Sequence, residues 1–358
     1  MSMMRDKLQE NCAFDCVSLG EVMLRFDPGD ARIRTAREFR VYEGGGEYNV
    51  TRGLRKCFQQ RTAVVTSLVD NEVGHLIEDL MMQGGVDTSF IVWVPDDGLG
   101  RHVRNGLNFV ERGFGIRRGK SVSDRGHSAA SQLKPGDIDW DFIFGKLKTR
   151  WFHTSGIFTS LSENTGALVL EAVQAAKRHG VIVSFDVNYR PSLWHRVGNR
   201  QHFLKIQEQI VSYVDVFIGL GIAIEKDQQA FQSLDEDAYR KRMSDVVEHH
   251  PNVKVIATTV RKVMTSNQHD WSAMGLINGQ FYESMKFTKL PIFDRVGGGD
   301  GFASGLIYGL QTSDDFHVAL NYGVIHGALT MSTPGDNSMV SFRDVLAILQ
   351  GDAAAILR

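Results

Sequence analysis

The segment Asp294-Arg295-Val296-Gly297-Gly298-Gly299-Asp300-Gly301-Phe302 runs three glycines into a helical pattern and embeds a carboxylate in the turn. Glycine lets the backbone bend and lets a ligand approach the main chain closely. Backbone N–H groups at a helix N-terminus point outward and favour an anion. A phosphate suits that place, as does the charge that develops on a transferred phosphoryl group. A carboxylate there does not itself bind phosphate, but it can take the proton of an alcohol attacking the phosphoryl group. The competing reading is a plain helix start that Asp300 merely caps.

Two further clusters carry the right groups. In Gly44-Gly45-Gly46-Glu47-Tyr48-Asn49, glycines again precede a helix, with an amide in its first turn. Asn49 can both donate to and accept from sugar hydroxyls, or it can serve as a cap. Asp186-Val187-Asn188-Tyr189-Arg190-Pro191 directly follows an apolar run. In open α/β sheets ligands bind at the carboxyl ends of strands. Arg190 is suited to gripping a carboxylate or phosphate bidentately; the bland alternative is a surface arginine beside a proline turn. Two rival glycine patterns fail. Gly119-Lys120-Ser121 resembles the end of a P-loop, but Phe114 stands where the first glycine is needed, and Gly44-x-Gly46 leads to Asn49 instead of the third glycine of a dinucleotide fingerprint.

Elements that would position these residues alternate along the chain. Strands are predicted at Cys16–Leu19, Val22–Phe26, Thr62–Leu68, Val86–Trp93, Trp151–Ser155, Val181–Asp186, Val214–Ile218 and Val253–Thr259. Helices are predicted at Tyr48–Phe58, Val73–Gln83, Glu163–Arg178, Phe203–Val211, Asp235–His249, Phe302–Leu310, Phe316–Met331 and Phe342–Leu349. Asn278-Gly279 turns a hairpin between Ala273–Ile277 and Gln280–Phe287. The alternation implies a parallel sheet covered by helices. Residues 95–135 break the rhythm, being rich in Gly, Arg and Ser, and read as a lid or small flanking sheet. The basic residues Arg101, Arg104, Arg112, Arg117, Arg118, Lys120 and Arg125 fall there, mostly as a solvated face.

Composition narrows the class. With 42% hydrophobic and 23% charged residues, the chain reads as a soluble globular protein. A formal net charge of −2 gives no electrostatic case for nucleic acid or an anionic membrane. No apolar run reaches the ~18 residues of a membrane span. The N-terminal stretch lacks an apolar core of signal-peptide length. Cys12, Cys16 and Cys57 fit neither a CxxC pair nor a disulfide framework, so a cytoplasmic location is expected.

Together, Gly44-Gly45-x-x-x-Asn49 and Asp294-x-x-Gly297-x-Gly299-Asp300 resemble the PfkB/ribokinase family of carbohydrate kinases over about residues 14–339. Gly20-Glu21, Asp186-x-Asn188-Tyr189-Arg190 and Gly297-Gly298-Gly299-Asp300 look most like its 2-keto-3-deoxygluconate kinase branch. The resemblance implies one ribokinase-like α/β domain over residues 14–358. Its core would be a doubly wound, mostly parallel sheet flanked by helices, with a small β-sheet lid from about 32–44 and 95–127. It implies ATP and Mg²⁺, a primary hydroxyl of a small sugar acid as acceptor, and a homodimer formed through the lid. It makes Asp300 the catalytic base and Gly297, Gly298 and Gly299 the anion hole. Gly44, Gly45 and Asn49 would line the sugar site, and Arg190 would hold a substrate carboxylate with Arg125 assisting. Thr258 and Arg261 would border the nucleotide, with adenine near 320–335. Asp186 and Asn188 would lie near phosphate and metal. The chain departs from the family pattern at residues 218–225, where the usual N-x-x-E lacks its asparagine. It also lacks a tyrosine in Gly106-Leu107-Asn108-Phe109, and Arg295 stands where many relatives have threonine. Two other readings stay open: a fructokinase-like neutral-sugar kinase, and a catalytically weak sensor of a sugar acid. A nicotinamide dehydrogenase is a distant third.

Overall fold

The computed structural model describes residues 9–188, 190, 193, 200–220 and 236–351. The chain opens with β1 (Cys16–Leu19), β2 (Met23–Asp27), β3 (Arg40–Gly44), α1 (Gly46–Lys56), β4 (Thr62–Asp70), α2 (Glu72–Gln83) and β5 (Ile91–Pro95). A hairpin of β6 (Leu107–Glu111) and β7 (Lys120–Asp124) follows. Then come β8 (Trp151–Ser155), the single turn α3 (Gly156–Thr159), α4 (Glu163–Arg178), β9 (Ile182–Asp186), α5 (Arg200–Val211), β10 (Val216–Ile218), α6 (Glu236–His249) and β11 (Val255–Thr265). The chain continues through β12 (Gln268–Ile277), β13 (Gln280–Glu283), β14 (Phe287–Pro291), α7 (Gly298–Thr312), α8 (Phe316–Thr330) and α9 (Phe342–Leu349).

The main sheet runs β13-β12-β11-β10-β9-β8-β1-β4-β5, with β14 also paired to β12. It is parallel from β11 to β5 and antiparallel among β11, β12, β13 and β14. Its central strands are continuous apolar runs because both faces are covered. Alternate side chains leave on opposite faces. Phe152, Val183 and Phe217 join one core with α4, α5 and α6. Their neighbours Trp151, Ile182 and Val216 join the other, with α1, α7, α8 and α9. Helix starts follow the local chemistry: Ser162 and Thr165 form a capping box at α4, and Asn71 caps α2. Asn278 and Gly279, at φ +52° and +74°, make the predicted two-residue hairpin turn.

Three expectations need correction. The strand predicted over Val86–Trp93 is confined to Ile91–Pro95, because Ser89 N donates to Asp87 Oδ1 at 2.9 Å and this local turn interrupts the run. The helix predicted from Phe302 begins at Gly298, so the glycines belong to its first turn. The second sheet, ordered β3-β2-β6-β7, takes strands from 40–44, 107–111 and 120–124, but it also takes Met23–Asp27. That strand's apolar run reads as part of the main fold, yet Phe26 stacks on Phe109 at 4.9 Å and meets Phe39 edge-on, giving β2 its partners in the second sheet. Residues 221–225, most of the departing N-x-x-E segment, lie outside the described residues.

The second sheet is pinned from β2. Arg25, 1% exposed, donates to Asp294 Oδ2 and Asp336 Oδ1 and lies 3.4 Å from Asp27 Oδ2. Removing one partner of a buried charge network costs about 3–5 kcal/mol, because the remaining charges stay buried and uncompensated. Arg25→Met is therefore expected to lose about that much stability in urea unfolding at pH 7. A loss below about 1 kcal/mol would show that the network is not an anchor.

Candidate active site

Gly297 is the N-cap of α7 and takes φ +81°, a left-handed conformation that favours glycine. A Cβ there would also lie 2.0 Å from the Asp336 carbonyl oxygen. Gly301 N makes the first helical bond, to Gly297 O at 2.8 Å. The N–H groups of Gly298, Gly299 and Asp300 thus precede any helical acceptor. Nothing lies within 4 Å of where a Gly299 Cβ would sit, so the mouth of the turn is open.

Asp300 is the third residue of α7 and does not cap it. Its Oδ2 accepts from Asn49 Nδ2 at 2.7 Å, and Asn49 Oδ1 accepts from Gly45 N at 3.3 Å. Asn49 is the fourth residue of α1, whose N-cap Gly45 has no side-chain cap bond, so it does not cap the helix; it ties Gly45 to Asp300, with one amide hydrogen left over. Gly45 is fixed by close approach, since a Cβ would fall 1.9 Å from the Glu21 carbonyl oxygen. Gly44 borders Asp336. Gly46 links all three motifs: a Cβ there would lie 3.5 Å from Asn188 Nδ2 and 3.8 Å from Asp300 Oδ1. Asn188, at φ +34°, donates its N–H to Asp186 Oδ1 at 3.0 Å at the end of β9.

The carboxylates crowd one another. Burial pushes Asp300 up to about 8; the Asn49 bond opposes this, and Asp186, Asp336 and Glu47 reinforce it. Burial likewise raises Glu47 to about 7, against the Ser155 hydroxyl that donates to it, and Asp186 to about 6. Arginines border this acidic floor. Arg190 is exposed and interacts electrostatically with Asp300, Asp186, Arg125 and Arg295. Arg125 Nη2 donates to Glu21 Oε2, while its buried Nε has no partner. Arg261, on β11, faces the charges of Arg295 and Arg190. Thr258, buried on the same strand, points its hydroxyl back at Thr259 O at 3.5 Å and is not among the residues gathered around Asp300. The rest of the basic stretch is largely structural. Arg104 pairs with Asp124, and Arg112 stacks on Phe293 at 4.5 Å and approaches Asp27. Lys120 begins β7 and opens no helix, which ends the P-loop reading.

Sequence reasoning passed over Arg25, Asp336 and His326, and it quoted Gly20-Glu21 and Glu47 within motifs without giving either glutamate a role. Asp336 follows the turn signal Pro334-Gly335. His326 is buried between α7 and the 335–338 loop. Its Nδ1 faces the Gly301 carbonyl at 2.9 Å, so the proton sits there and Nε2 accepts from Ser338 Oγ at 2.7 Å. Burial holds its pKa down near 4, so it stays neutral.

A carboxyl whose folded pKa lies above its unfolded value favours folding at low pH and loses that contribution as pH rises from about 4 to about 8. Asp300→Asn removes this penalty. It is expected to raise the melting temperature at pH 7.5 by a few degrees, the size of a gain of ~1–2 kcal/mol, and to change little at pH 4.5. A variant less stable than wild type at both pH values would contradict the raised pKa.

Residues 13–343 match the model of the pfkB family carbohydrate kinases. The solved 2-dehydro-3-deoxygluconokinase of Thermotoga maritima superposes with a TM-score of 0.83 at 32% identity, covering 94% of this chain and 99% of its own. A 2-dehydro-3-deoxygalactonokinase of Haloferax volcanii is 27% identical over 345 residues, 96% of this chain and 99% of that protein. A 5-dehydro-2-deoxygluconokinase of Bacillus subtilis is 24% identical over 331 residues, 92% of this chain and 93% of that protein. The mostly parallel sheet and the separate small sheet are those of the ribokinase-like α/β fold, and the chain belongs to the pfkB family of carbohydrate kinases.

Proposed function

We propose that this kinase transfers the γ-phosphate of ATP to a primary hydroxyl of a small sugar acid, with 2-keto-3-deoxygluconate as the substrate to try first. The observation that carries the reading is the Asp300 carboxyl beside the open glycine turn, held by Asn49 within reach of Gly46 and Asn188. In this reading the sugar hydroxyl lies against Asp300. Its oxygen bonds to the γ-phosphorus as its proton passes to the carboxylate, and the bond from that phosphorus to the bridging oxygen of ADP breaks. The N–H groups of the glycine turn meet the developing charge.

Mg²⁺ supplies further neutralisation of phosphate charge when bound. Among the described residues, no three His, Cys, Asp or Glu side chains converge to cage a metal. The ion would therefore be held mainly by phosphates and water, as is usual for Mg²⁺, with Asp186 and Asn188 in its vicinity. Arg190 is the main candidate for the sugar carboxylate; Arg125 is already tied to Glu21 through Nη2, with its buried Nε without a partner. The named relatives act on keto-deoxy sugar acids, which favours an acidic substrate. The commitment of Arg125 to Glu21 favours the second reading, a neutral-sugar kinase. In this reading the second sheet, whose β3 ends at Gly44, covers the sugar as a lid. The three buried free thiols suit a reduced cytoplasm.

Turnover of 2-keto-3-deoxygluconate in an ATP-consumption assay against gluconate, fructose, ribose and tagatose supports the acid reading. Turnover of a neutral sugar instead overturns it but keeps the role of Asp300. For the preferred sugar, kcat/KM is expected to rise about tenfold per pH unit up to a pKa near 8 and then level, because the base acts only when ionised. A profile flat from pH 6 to 9 would remove Asp300 from that role. Asp300→Asn is expected to cut kcat by at least ~10²-fold, and Arg190→Ala to raise KM for the sugar acid more than for ATP.

A further inference from the structure

The helices α1 and α7 meet along two successive turns. Asn49 and Gly53 lie four residues apart on one face of α1, and Asp300 and Ser304 are spaced the same way on α7. At the first turn Asn49 Nδ2 donates to Asp300 Oδ2 at 2.7 Å. At the second the helices come so near that a Cβ on Gly53 would lie 2.8 Å from Ser304 Oγ and 3.0 Å from His326 Cε1. His326, on α8, is fully buried in this corner and meets the Phe58 ring edge-on at 5.0 Å. The spacing of α1 from α7, and with it the reach of Asn49 to the Asp300 carboxyl, depends on the imidazole between them.

Polar groups fix the ring on both sides. The Nδ1–H is shared between Gly301 O at 2.9 Å and Ser304 Oγ at 2.8 Å, and Ser304 Oγ donates to Gly301 O at 2.9 Å. Gly301 is held at its other end as well, since its N–H donates to Gly297 O at 2.8 Å. Helix α8 closes over its remaining side: a Cβ there would fall 2.5 Å from Thr330 Oγ1. Asp300 is joined to Gly301 by a peptide bond, so its main chain does not turn independently of His326. On the far side of the ring, Ser338 Oγ donates to Nε2 at 2.7 Å, and Ser338 O accepts from Arg52 Nη1 at 2.7 Å. Arg52 Nε lies 3.0 Å from Glu43 Oε1, and Asn337 Nδ2 donates to Glu43 O at 2.8 Å. Glu43 immediately precedes Gly44 at the end of β3.

We propose that His326 is a positioning residue for the phosphoryl transfer: from behind the site it holds the Asp300 carboxyl in place through Gly301 and ties that placement to the 335–338 loop and the end of β3. The proposal rests on the reading of Asp300 as the base. A residue that acts only through its neighbours can still govern the rate, because a misplacement of about 1 Å at the reacting groups costs ~10²-fold. An aliphatic side chain could fill the same volume, but it would bond to neither Gly301 nor Ser338.

Steady-state kinetics in two backgrounds test this, with Mg²⁺-ATP and the sugar of the panel above that wild type turns over fastest. His326→Leu is expected to lower kcat about 10- to 100-fold and to leave KM for ATP and for the sugar nearly unchanged. His326→Asn keeps an N–H donor where Nδ1 stood and should recover most of the loss. His326→Gln reaches only the place of Nε2 and should recover less. The deciding arm is the Asp300→Asn background. Once the carboxylate is gone its placement no longer matters, so His326→Leu should lower the residual kcat there by less than about twofold. An equal fold-loss in both backgrounds marks a general structural defect and overturns the proposal, and so does a wild-type kcat in His326→Leu. Should the leucine variant fail to fold, Ser338→Ala takes its place in the same cycle. It removes the donor to Nε2 and is expected to lower kcat about 2- to 10-fold, the scale of one neutral hydrogen bond, in the wild-type background alone. If Asp300→Asn by itself kept near-wild-type turnover, the base reading would fall, a result visible without any His326 variant.

Discussion

The Arg25 guanidinium is the point on which the candidate site depends. It is enclosed by Asp27, Asp294 and Asp336, and these belong to distant parts of the chain. Asp27 ends β2, Asp294 leads into the glycine turn, and Asp336 lies in the loop after α8. Each acid alone would be costly to bury. Burial raises the proton affinity of Asp294 and Asp336, and the arginine opposes it in both. One cation thus sets the position of the second sheet relative to α7. Gly44 and Gly297 then follow as consequences, because Asp336 presses its carboxylate against one and its carbonyl against the other.

The same economy explains the unstable chemistry of the floor. Burial comes first in raising the proton affinity of Asp186, Glu47 and Asp300; Asp186 adds to it at Glu47, and Asp186 and Glu47 both add to it at Asp300. Such a cluster lowers the stability of the fold at neutral pH. Clusters of this kind are common where a carboxyl must act near pH 7. The surrounding structure can bear the penalty because the packed elements on both sides of the sheet are apolar and continuous. His326 adds a neutral, fully bonded link between the first turn of α7 and the 335–338 loop without adding charge.

Much of this was legible in the sequence for a simple reason. Glycine runs, Asn-Gly turns and alternation of strand and helix patterns act locally, and their residues are neighbours in the chain. Asp300, Asn49 and the Asp186–Asn188 stretch could therefore be found before their convergence was known. Arg25 could not. Its partners are 269 and 311 positions away, and an arginine inside an apolar strand resembles any edge residue. The placement of β2 was hidden for the same reason, since its strand pattern does not say which sheet it joins. A plain helix cap remained the competing reading of Asp300 until the start of α7 at Gly298 placed it one turn too far in.

The second sheet has a further attachment that links the two proposed substrate sides. Gly115, at the tip of the β6–β7 hairpin, accepts from Ser266 N at 2.9 Å and donates to Asn267 Oδ1 at 2.9 Å, at the turn between β11 and β12. Arg112, on the same hairpin, stacks on Phe293 just before the glycine turn. The sheet proposed to cover the sugar is thus held at β2 by charge and at the hairpin tip by hydrogen bonds to the Gly115 main chain. The second hold is on the strand pair that carries Arg261. A shift of the hairpin would pull on β11, and a shift of Asp294 would pull on β2 through Arg25. Positions on the sugar side and the phosphate side are therefore set by one connected frame, so the geometry needed for in-line transfer does not have to be assembled from independently placed parts.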